Sequence, residues 1–370
     1  MQIDQGNPKR LILDSHKLLW HHERIEDWIM GEHIAPITID CALTRRCTYN
    51  CKYCYSQLQA NDEKQLTKDI IFRFLDDAAE IGVKAISFAS DGESTCSPYL
   101  YDAILHGKSN GLDMALSTNG YLLNDERLEE ILPCLTYLRF NISAAEPERY
   151  AEIMGCKEEC FDKVGNIIRE CVRIKKEKDL IITLGLQMVL MPEFEDQIIP
   201  LAKLGKALGA DYLVIKHCSD DELNTLGIDY SKYFNLITIL KEAEAYSTSD
   251  YIVKAKWSKI LSSGKRRYSK CYGPSFIMQI SGSGLVAPCG MLFNKRYKKY
   301  HIGNIAEQRF KDIWQSKRYR DVMNLISSDE FDAKTMCGTL CLQHKVNEFL
   351  WDLKEHNIGL DDKPLHVNFI

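Results

Sequence analysis

Short apolar strands alternate with amphipathic helices from residue 37 to residue 215. A strand, a helix and a second strand in succession favour parallel pairing, because the helix returns the chain to the starting edge of the sheet. Ligands of such sheets gather at the carboxyl ends of the strands. The alternation therefore predicts an α/β fold, either doubly wound or a partial barrel, with functional residues just after each strand. The six predicted strands are residues 37–41, 85–88, 113–116, 138–142, 182–190 and 212–215.

The order of predicted helices, strands and turns divides the chain into four segments. Asp14 or Ser15 is predicted to cap an opening amphipathic helix that covers one end of the main domain. Near the other end of the chain, Ser281-Gly282-Ser283-Gly284 separates two short apolar strands. Further helices are predicted at 67–82, 97–111, 124–134, 159–178, 195–208 and 233–246. The predicted segments are a helical extension (1–35), the barrel (36–230), a helical connector (231–264) and a small α+β domain with a C-terminal helix (265–370).

Composition excludes several classes of function. The net charge of −5 provides no overall basic field for nucleic acid or an anionic membrane. The N-terminus lacks the apolar core of a signal peptide, and no stretch approaches the roughly 18 apolar residues of a membrane span. We therefore expect a cytoplasmic protein without a membrane partner. In that reducing compartment, clustered members of the fourteen cysteines predict metal binding or catalysis.

The first cysteine cluster follows the first predicted strand and consists of Cys47, Cys51 and Cys54. Cysteine is the usual ligand of a [4Fe–4S] cluster, and three thiolates leave one of its irons open to a ligand from outside the protein. The alternative is a structural zinc site, which needs a fourth protein ligand. The nearby candidate, Cys41, is expected to be packed within the strand. The pattern therefore favours a cluster that takes part in chemistry.

The C-x3-C-x2-C spacing of this loop, with Tyr53 before its last cysteine, resembles the signature of the radical S-adenosylmethionine (SAM) superfamily. The resemblance covers about residues 36–230 and implies a partial (β/α)6 barrel of the TIM type. Asp91 and Ser94 depart from the Gly-Gly-Glu-Pro turn with which the family holds the SAM amino group. The residues implied to bind SAM are Tyr53, Ser90, Asp91, Gly92, Glu93, Ser117, Asn119, Asn141, Ser143 and Gln187.

The resemblance also implies a mechanism. SAM would chelate the open iron, and one electron from the reduced cluster would cleave its sulfonium group. The resulting 5′-deoxyadenosyl radical would take a hydrogen atom from the substrate, while the protein positions the substrate and excludes competing reactions. A low-potential electron donor such as a flavodoxin or a ferredoxin is expected as a partner.

A second cysteine set lies in the C-terminal region and consists of Cys271, Cys289, Cys337 and Cys341. Four thiolates suffice to close one cluster fully, although they are also a zinc set. With the segment 301–316, this region resembles the Twitch/SPASM extension of radical SAM enzymes over about residues 265–345. Four cysteines rather than the seven of a full SPASM pattern favour one auxiliary [4Fe–4S] cluster, so two clusters are expected in all.

Three residues at the end of the sixth predicted strand are candidates for the reaction itself. The thiol of Cys218 could return a hydrogen atom to a substrate radical, as an epimerase requires. Lys216 or His217 could take a proton from an oxidised alcohol. The alternative for each is a structural role at the end of a strand, which is the commoner use of such residues.

The combined motifs predict an oxidoreductase of the radical SAM type. By analogy with related enzymes that hold one auxiliary cluster, we expect a small polar substrate such as a sugar or aminocyclitol, with the auxiliary cluster accepting an electron. A peptide maturase or epimerase is the first alternative, disfavoured because no leader-binding domain is expected before the barrel. An RNA-modifying enzyme is the second, and it would use the basic runs 265–267 and 295–299.

Overall fold

Ten strands form a single sheet in the computed structural model, which describes residues 11–61, 64–353 and 365–369. Strands β1 to β7 are parallel neighbours in chain order. The arrangement confirms the predicted partial barrel. The strands are β1 (Thr38–Cys41), β2 (Ala85–Phe88), β3 (Asp113–Thr118), β4 (Leu135–Asn141), β5 (Thr183–Leu190), β6 (Tyr212–His217), β7 (Ile252–Ala255), β8 (Ile277–Ile280), β9 (Leu285–Ala287) and β10 (Gly303–Asn304).

Alternation along each strand separates the core from the lumen of the barrel. On β4, Leu138 and Phe140 point outward into the hydrophobic core between sheet and helices. Tyr137 and Arg139 point the other way and line a cavity inside the barrel. Successive side chains of a strand face opposite sides of a sheet, so one strand supplies both the core and the lumen. The lumen is therefore polar, while the outer face is apolar.

Helices cover the outer face of the sheet. The predicted N-cap at Thr67 is confirmed, since its hydroxyl accepts a hydrogen bond from the backbone N–H of Ile70. The helices are α1 (His22–Ile29), α2 (Lys68–Glu80), α3 (Leu100–Ser109), α4 (Asp125–Ile131), α5 (Pro147–Met154), α6 (Glu159–Glu177), α7 (Ile198–Leu208), α8 (Ile237–Glu244), α9 (Trp257–Ile260), α10 (Phe310–Gln315), α11 (Lys317–Ile326) and α12 (His344–Asp352).

The N-terminal helix and α5 differ from the sequence prediction. Helix α1 begins at His22, and Asp14 does not cap it, because the Asp14 carboxylate accepts hydrogen bonds from the backbone and the hydroxyl of Ser258. Helix α5 was absent from the prediction. It has only eight residues, with Pro147 at its start and Gly155 in the left-handed conformation at its end.

The predicted helical connector also contains a strand. Within residues 231–264, α8 is followed by β7, which pairs in parallel with β6 and extends the barrel to seven strands. The C-terminal region joins the same sheet from the other side, because β8 pairs in parallel with β1. The turn at residues 281–284 then leads into β9 as predicted. The C-terminal region is thereby fixed against the barrel by backbone hydrogen bonds.

The last described residues, 365–369, lie at the amino-terminal end of the strands. The ammonium group of Lys17 donates hydrogen bonds to the carbonyls of His366 (3.1 Å) and Phe369 (3.0 Å). The Phe369 ring packs against Tyr137. This end of the barrel is therefore covered, and the opposite end carries the cysteine loop. In the part of the chain that the structure describes, no helix is long and apolar enough to cross a membrane.

Candidate active site

The loop that carries Cys47, Cys51 and Cys54 is held by backbone contacts from two sides. On one side, Asn50 N–H donates to Gly155 O (3.2 Å) and Lys52 N–H donates to Ile153 O (3.0 Å). On the other side, the backbone N–H of Glu93 donates to Arg46 O (2.8 Å). Helix α5 and the turn after β2 therefore fix the position of the three thiols.

Two glycines permit these close approaches. Gly155 (φ +61°) lies against the carbonyl group of Asn50, and Gly92 (φ +116°) lies against the backbone of Thr44 and Arg45. A Cβ atom at either position would overlap with backbone atoms. Both glycines also hold a positive φ that other residues rarely adopt.

The three thiols lie close enough to influence one another. Burial raises the pKa of Cys47 to about 11, and the nearby Glu93 carboxylate and Cys54 thiol raise it further. Burial also raises the pKa of Cys51, with added contributions from Cys54 and Cys47. A metal centre would reverse these shifts, because thiolates are the ligands and bound metal stabilises them. The loop therefore fits a cluster held by three cysteines.

The Glu93 carboxylate joins the ends of β2 and β3 beside this loop. It accepts hydrogen bonds from the hydroxyl of Thr118 (2.7 Å) and the backbone N–H of Asn119 (2.7 Å). The Asn119 amide in turn donates to the hydroxyl of Thr48 (3.0 Å), which lies within the cysteine loop. Sequence reasoning named Glu93 and Asn119 but missed Thr118 and Thr48, since hydroxyls at strand ends carry no distinctive spacing.

Other residues predicted to contact SAM have different surroundings. Asp91 faces away from the thiols and accepts hydrogen bonds from Ser281 Oγ (2.6 Å) and Gly282 N–H (2.9 Å) of the C-terminal hairpin. The Tyr53 hydroxyl points to Met154 Sδ (3.0 Å). Ser90 has a buried hydroxyl without a hydrogen-bond partner among the described residues, so it is available to a ligand.

The predicted residues on β4 and β5 pair with each other. The Gln187 amide donates to Asn141 Oδ1 (2.8 Å), and Ser143 Oγ accepts from the backbone N–H of Val189 (3.2 Å). Ser117, on β3, lies in register with Arg139 of β4. These residues therefore lie on or just after successive strands of the barrel, and their contact with SAM stays a prediction.

The second cysteine set surrounds one small cavity. Cys271, Cys289, Cys337 and Cys341 all line it. Burial raises the pKa of Cys337 to about 11, although the neighbouring Arg266 guanidinium opposes this shift. In the described ranges, no three His, Cys, Asp or Glu side chains are grouped for a single metal ion. The four thiols around this cavity are enough to ligate every iron of one [4Fe–4S] cluster.

Arg266 is a buried support of this second set. Its guanidinium donates hydrogen bonds to the carbonyls of Ala333 and Thr339, on either side of Cys337. Residues 265–267 form one of the basic runs that an RNA-modifying enzyme would use, but Arg266 is buried and its guanidinium is occupied within the protein. Its neighbour Arg267 forms ion pairs with Glu348 and Asp352. This basic run therefore serves the fold of the C-terminal region.

The loop after β6 connects the two cysteine sets. Cys218 is fully buried, and its Sγ lies 3.7 Å from the carbonyl oxygen of Tyr53, the residue before Cys54. The next residue, Ser219, donates through its hydroxyl to Leu340 O (2.8 Å), beside Cys341. Cys218 thus lies between the loops that carry the two sets.

The protonation states of the β6 candidates follow from burial. Burial raises the pKa of Cys218 to about 12, which keeps the thiol neutral. Burial lowers the pKa of His217 to about 3, and its Nδ1 lies 2.7 Å from Cys218 O. Burial also lowers the pKa of Lys216 well below its usual value. Burial therefore shifts both groups towards the neutral form, which is the form that accepts a proton, and their role in the reaction stays a prediction.

Two family models match the chain. The model of the radical SAM superfamily matches residues 42–205, and the model of the iron–sulfur cluster-binding domain SPASM matches residues 271–341. The first range contains Cys47, Cys51 and Cys54, and the second begins at Cys271 and ends at Cys341. Each family model therefore covers the cysteine set from which the corresponding domain was predicted.

Two relatives match over most of their length. The chain is 23% identical over 294 residues to the tungsten-containing aldehyde ferredoxin oxidoreductase cofactor-modifying protein of Pyrococcus furiosus. The match covers 75% of this chain and 80% of that protein. It is 25% identical over 342 residues to the AdoMet-dependent heme synthase of Methanosarcina barkeri, covering 84% of this chain and 90% of that protein.

Among solved structures, SuiB of Streptococcus suis bound to its precursor peptide SuiA shares the fold. The TM-score is 0.63 at 16% identity, over 89% of this chain and 75% of SuiB. None of these relatives supports the sugar or aminocyclitol substrate expected from the sequence, because their names refer to a cofactor, a heme and a peptide. The chain contains a radical SAM domain and a SPASM domain, and these domains imply SAM and two [4Fe–4S] clusters as its cofactors.

Proposed function

We propose that this radical SAM enzyme modifies a peptide inside the barrel and that the second cluster accepts an electron during the reaction. The observation that carries the proposal is the fold shared with SuiB, whose structure holds a precursor peptide. The chemistry supplied at the first site, when SAM and the reduced cluster are bound, is hydrogen-atom abstraction by a 5′-deoxyadenosyl radical. A low-potential donor of the flavodoxin or ferredoxin class would supply the electron.

The chain's own residues hold the reactants in this proposal. Cys47, Cys51 and Cys54 hold the first cluster with one iron open, and Glu93, anchored by Thr118 and Asn119, meets the SAM amino group. Ser90, Ser117, Asn141, Ser143 and Gln187 line the rest of the SAM site. The covered amino-terminal end of the barrel limits access of water to the substrate radical from that side.

Cys218 is proposed as the hydrogen-atom donor if the reaction is an epimerisation. Its thiol stays neutral because of burial, and a neutral S–H is the state that gives up a hydrogen atom. The S–H bond would break as a C–H bond forms on the substrate radical. One electron from the low-potential donor and one proton would then restore the thiol.

If Cys218 donates the hydrogen atom, its replacement should affect deuterium incorporation into the product but not SAM cleavage. We expect Cys218→Ala to retain both clusters and SAM cleavage but to lose the deuterium that an epimerase incorporates into its product from D2O. Equal deuterium incorporation by wild type and variant would contradict a hydrogen-atom donor at this position. The neighbouring variant Ser219→Ala, which loses the hydrogen bond to Leu340 O, is the control for disturbance of the β6 loop.

A second candidate function is the modification of a cofactor-like small molecule. It is favoured by the two relatives, which match over 80% and 90% of their lengths. The peptide and cofactor proposals share the radical chemistry and differ only in the molecule that loses the hydrogen atom.

Deuterium transfer into 5′-deoxyadenosine separates the two candidates. The reconstituted enzyme is given SAM, dithionite and an extract of host cells grown in D2O, with or without prior digestion of the extract by a nonspecific peptidase. We expect singly deuterated 5′-deoxyadenosine that disappears after digestion, and none with a Cys47/Cys51/Cys54→Ala variant. Transfer that survives digestion would overturn the peptide proposal in favour of the cofactor-like substrate.

A further inference from the structure

A cavity of about 150 Å³ lies inside the barrel, towards the amino-terminal ends of the strands. Its walls are lumen-facing side chains of β1, β4, β6 and β8, together with residues 11–17 and the start of α9. Asp40 of β1 and Arg139 of β4 are among the wall residues. The cavity is separate from the one that the second cysteine set surrounds.

The wall of this cavity carries more positive than negative charge. One lysine of the wall, Lys345, is neutralised by Glu348 at 2.8 Å. The remaining ionisable residues are four basic and two acidic side chains, so basic groups outnumber acidic groups in the wall. They are Lys17, Arg139, Lys256, Lys259, Asp14 and Asp40.

Three of these charged side chains form no ion pair among the described residues, although the Arg139 guanidinium lies over the Tyr137 ring at 5.8 Å. Arg139, Lys256 and Asp40 form no salt bridge within 4.0 Å there, and the Arg139 Nε atom is buried without a hydrogen-bond partner. The other carboxylate, Asp14, is occupied by the hydroxyl and backbone N–H of Ser258. The cavity therefore contains cations that the described chain does not neutralise.

Arg139, Lys256 and Asp40 are half-buried in the cavity wall, and charge held away from bulk water without an ion-pair partner is costly, so the retention of these side chains needs a physical reason. Burial lowers the pKa of Lys256 and raises the pKa of Asp40 to about 7, the directions expected for charged groups removed from water. Replacing buried charged groups by apolar side chains of similar volume is often neutral or stabilising for a fold. A ligand of opposite charge is the simplest reason to keep them.

The position of Arg139 relates the cavity to the SAM site. Arg139 lies two residues before Asn141 on β4, and both face the lumen. Two residues of a strand span about 7 Å. A group bound at Arg139 is thus deeper in the barrel than SAM, on the side where a substrate would extend. An arginine fork with a nearby lysine matches the geometry and charge of carboxylate or phosphate.

We propose that this cavity binds an anionic group of the substrate, a carboxylate or a phosphate, through Arg139 and Lys256. The inference rests on the proposed function in one respect, that the substrate enters the lumen of the barrel. The anionic group anchors one end of the molecule, and the other end reaches towards the strand ends where the hydrogen atom is removed.

The experiment measures the melting temperature (Tm) of the reconstituted enzyme in chloride, succinate and inorganic phosphate at equal ionic strength. The variants are Arg139→Met and Lys256→Met. Lys254→Met is the matched control, because Lys254 lies on neighbouring β7 and already pairs with Glu244 at 3.1 Å. SAM cleavage with dithionite is measured on every protein.

We expect succinate or phosphate to raise the Tm of the wild type, and the larger shift identifies the carboxylate or phosphate source. Arg139→Met and Lys256→Met should each raise the Tm in chloride by about 2 °C or more, and each should lose the anion-dependent shift. Lys254→Met should behave like the wild type. A ligand-binding cation predicts this gain of stability, whereas a structural cation predicts a loss.

A lower Tm of both variants in chloride would overturn the inference, and so would an anion-dependent shift that persists in both. Absence of any anion-dependent shift in the wild type would overturn it as well. Failure of the proposed function gives a different result, because deuterium transfer into 5′-deoxyadenosine would then survive peptidase digestion whatever the anion does to the Tm. The two proposals are therefore separable.

Discussion

Gly155→Ala is expected to remove the first cluster and leave the second in place. A Cβ atom on Gly155 would lie 2.5 Å from the carbonyl carbon of Asn50, inside the loop between Cys47 and Cys51. Both partners are backbone, so relief requires the loop itself to move. A shift of about 1 Å at a reacting centre costs about 100-fold in rate. We expect iron to fall from about eight to about four atoms per chain and SAM cleavage to fall at least about 100-fold.

Gly111→Ala is the matched control for Gly155→Ala. Gly111 has a similar positive φ of +80°, but a Cβ atom there would meet nothing within 4 Å. Alanine at position 111 therefore has the same unfavourable positive φ, but its Cβ atom does not overlap with any other atom. Full iron content and normal SAM cleavage in Gly155→Ala would contradict the role of this contact in fixing the loop.

Asp91→Ala is expected to be the most destabilising single change in the link between barrel and C-terminal region. The Asp91 carboxylate is buried and pairs with Arg45 at 3.2 Å. It also binds Ser281 and Gly282, in the turn between β8 and β9. Removing one partner of a buried ion pair costs about 3–5 kcal/mol. We expect a matching loss in the free energy of unfolding, measured by urea denaturation of the reconstituted enzyme.

Two control variants give reference values for this loss in the free energy of unfolding. Ser281→Ala removes one hydrogen bond to the same carboxylate and should cost about 1 kcal/mol. Asp329→Ala removes a carboxylate whose side chain is 94% exposed, and its ion pair with Lys270 should be worth nothing measurable. An Asp91→Ala enzyme as stable as Asp329→Ala would show that the hairpin is held to the barrel by other contacts.

The strands of the barrel were predictable because short apolar runs and the residues that begin and end the intervening helices are local signals. The predicted strand 85–88 has the same limits as β2, and β1 differs by one residue at its start. Strand β7 was missed because its four residues, Ile252–Ala255, follow a helix closely and include a lysine. The pairing of β8 with β1 joins residues more than 230 positions apart. Over such a separation, the sequence pattern does not indicate which strands pair or in which register.

The candidate site was predictable where chemistry depends on spacing. The two cysteine sets and Glu93 follow from motifs, and the family models cover the same regions. The place of Asp91 was not predictable, because its partners Ser281 and Gly282 come from a turn about 190 residues away. The contacts at Gly92 and Gly155 could not be predicted either, because a close approach between two backbone segments leaves no pattern in the sequence.

The central claim is that one three-cysteine loop drives SAM chemistry while four other cysteines hold a second cluster. Its most direct test is the iron and sulfide content after anaerobic reconstitution, measured together with 5′-deoxyadenosine formation in dithionite. The wild type is predicted to hold about eight irons and to cleave SAM, and the Cys47/Cys51/Cys54→Ala variant to hold about four and cleave none. Zinc in place of iron, or a fully loaded wild type that leaves SAM intact, would contradict the account.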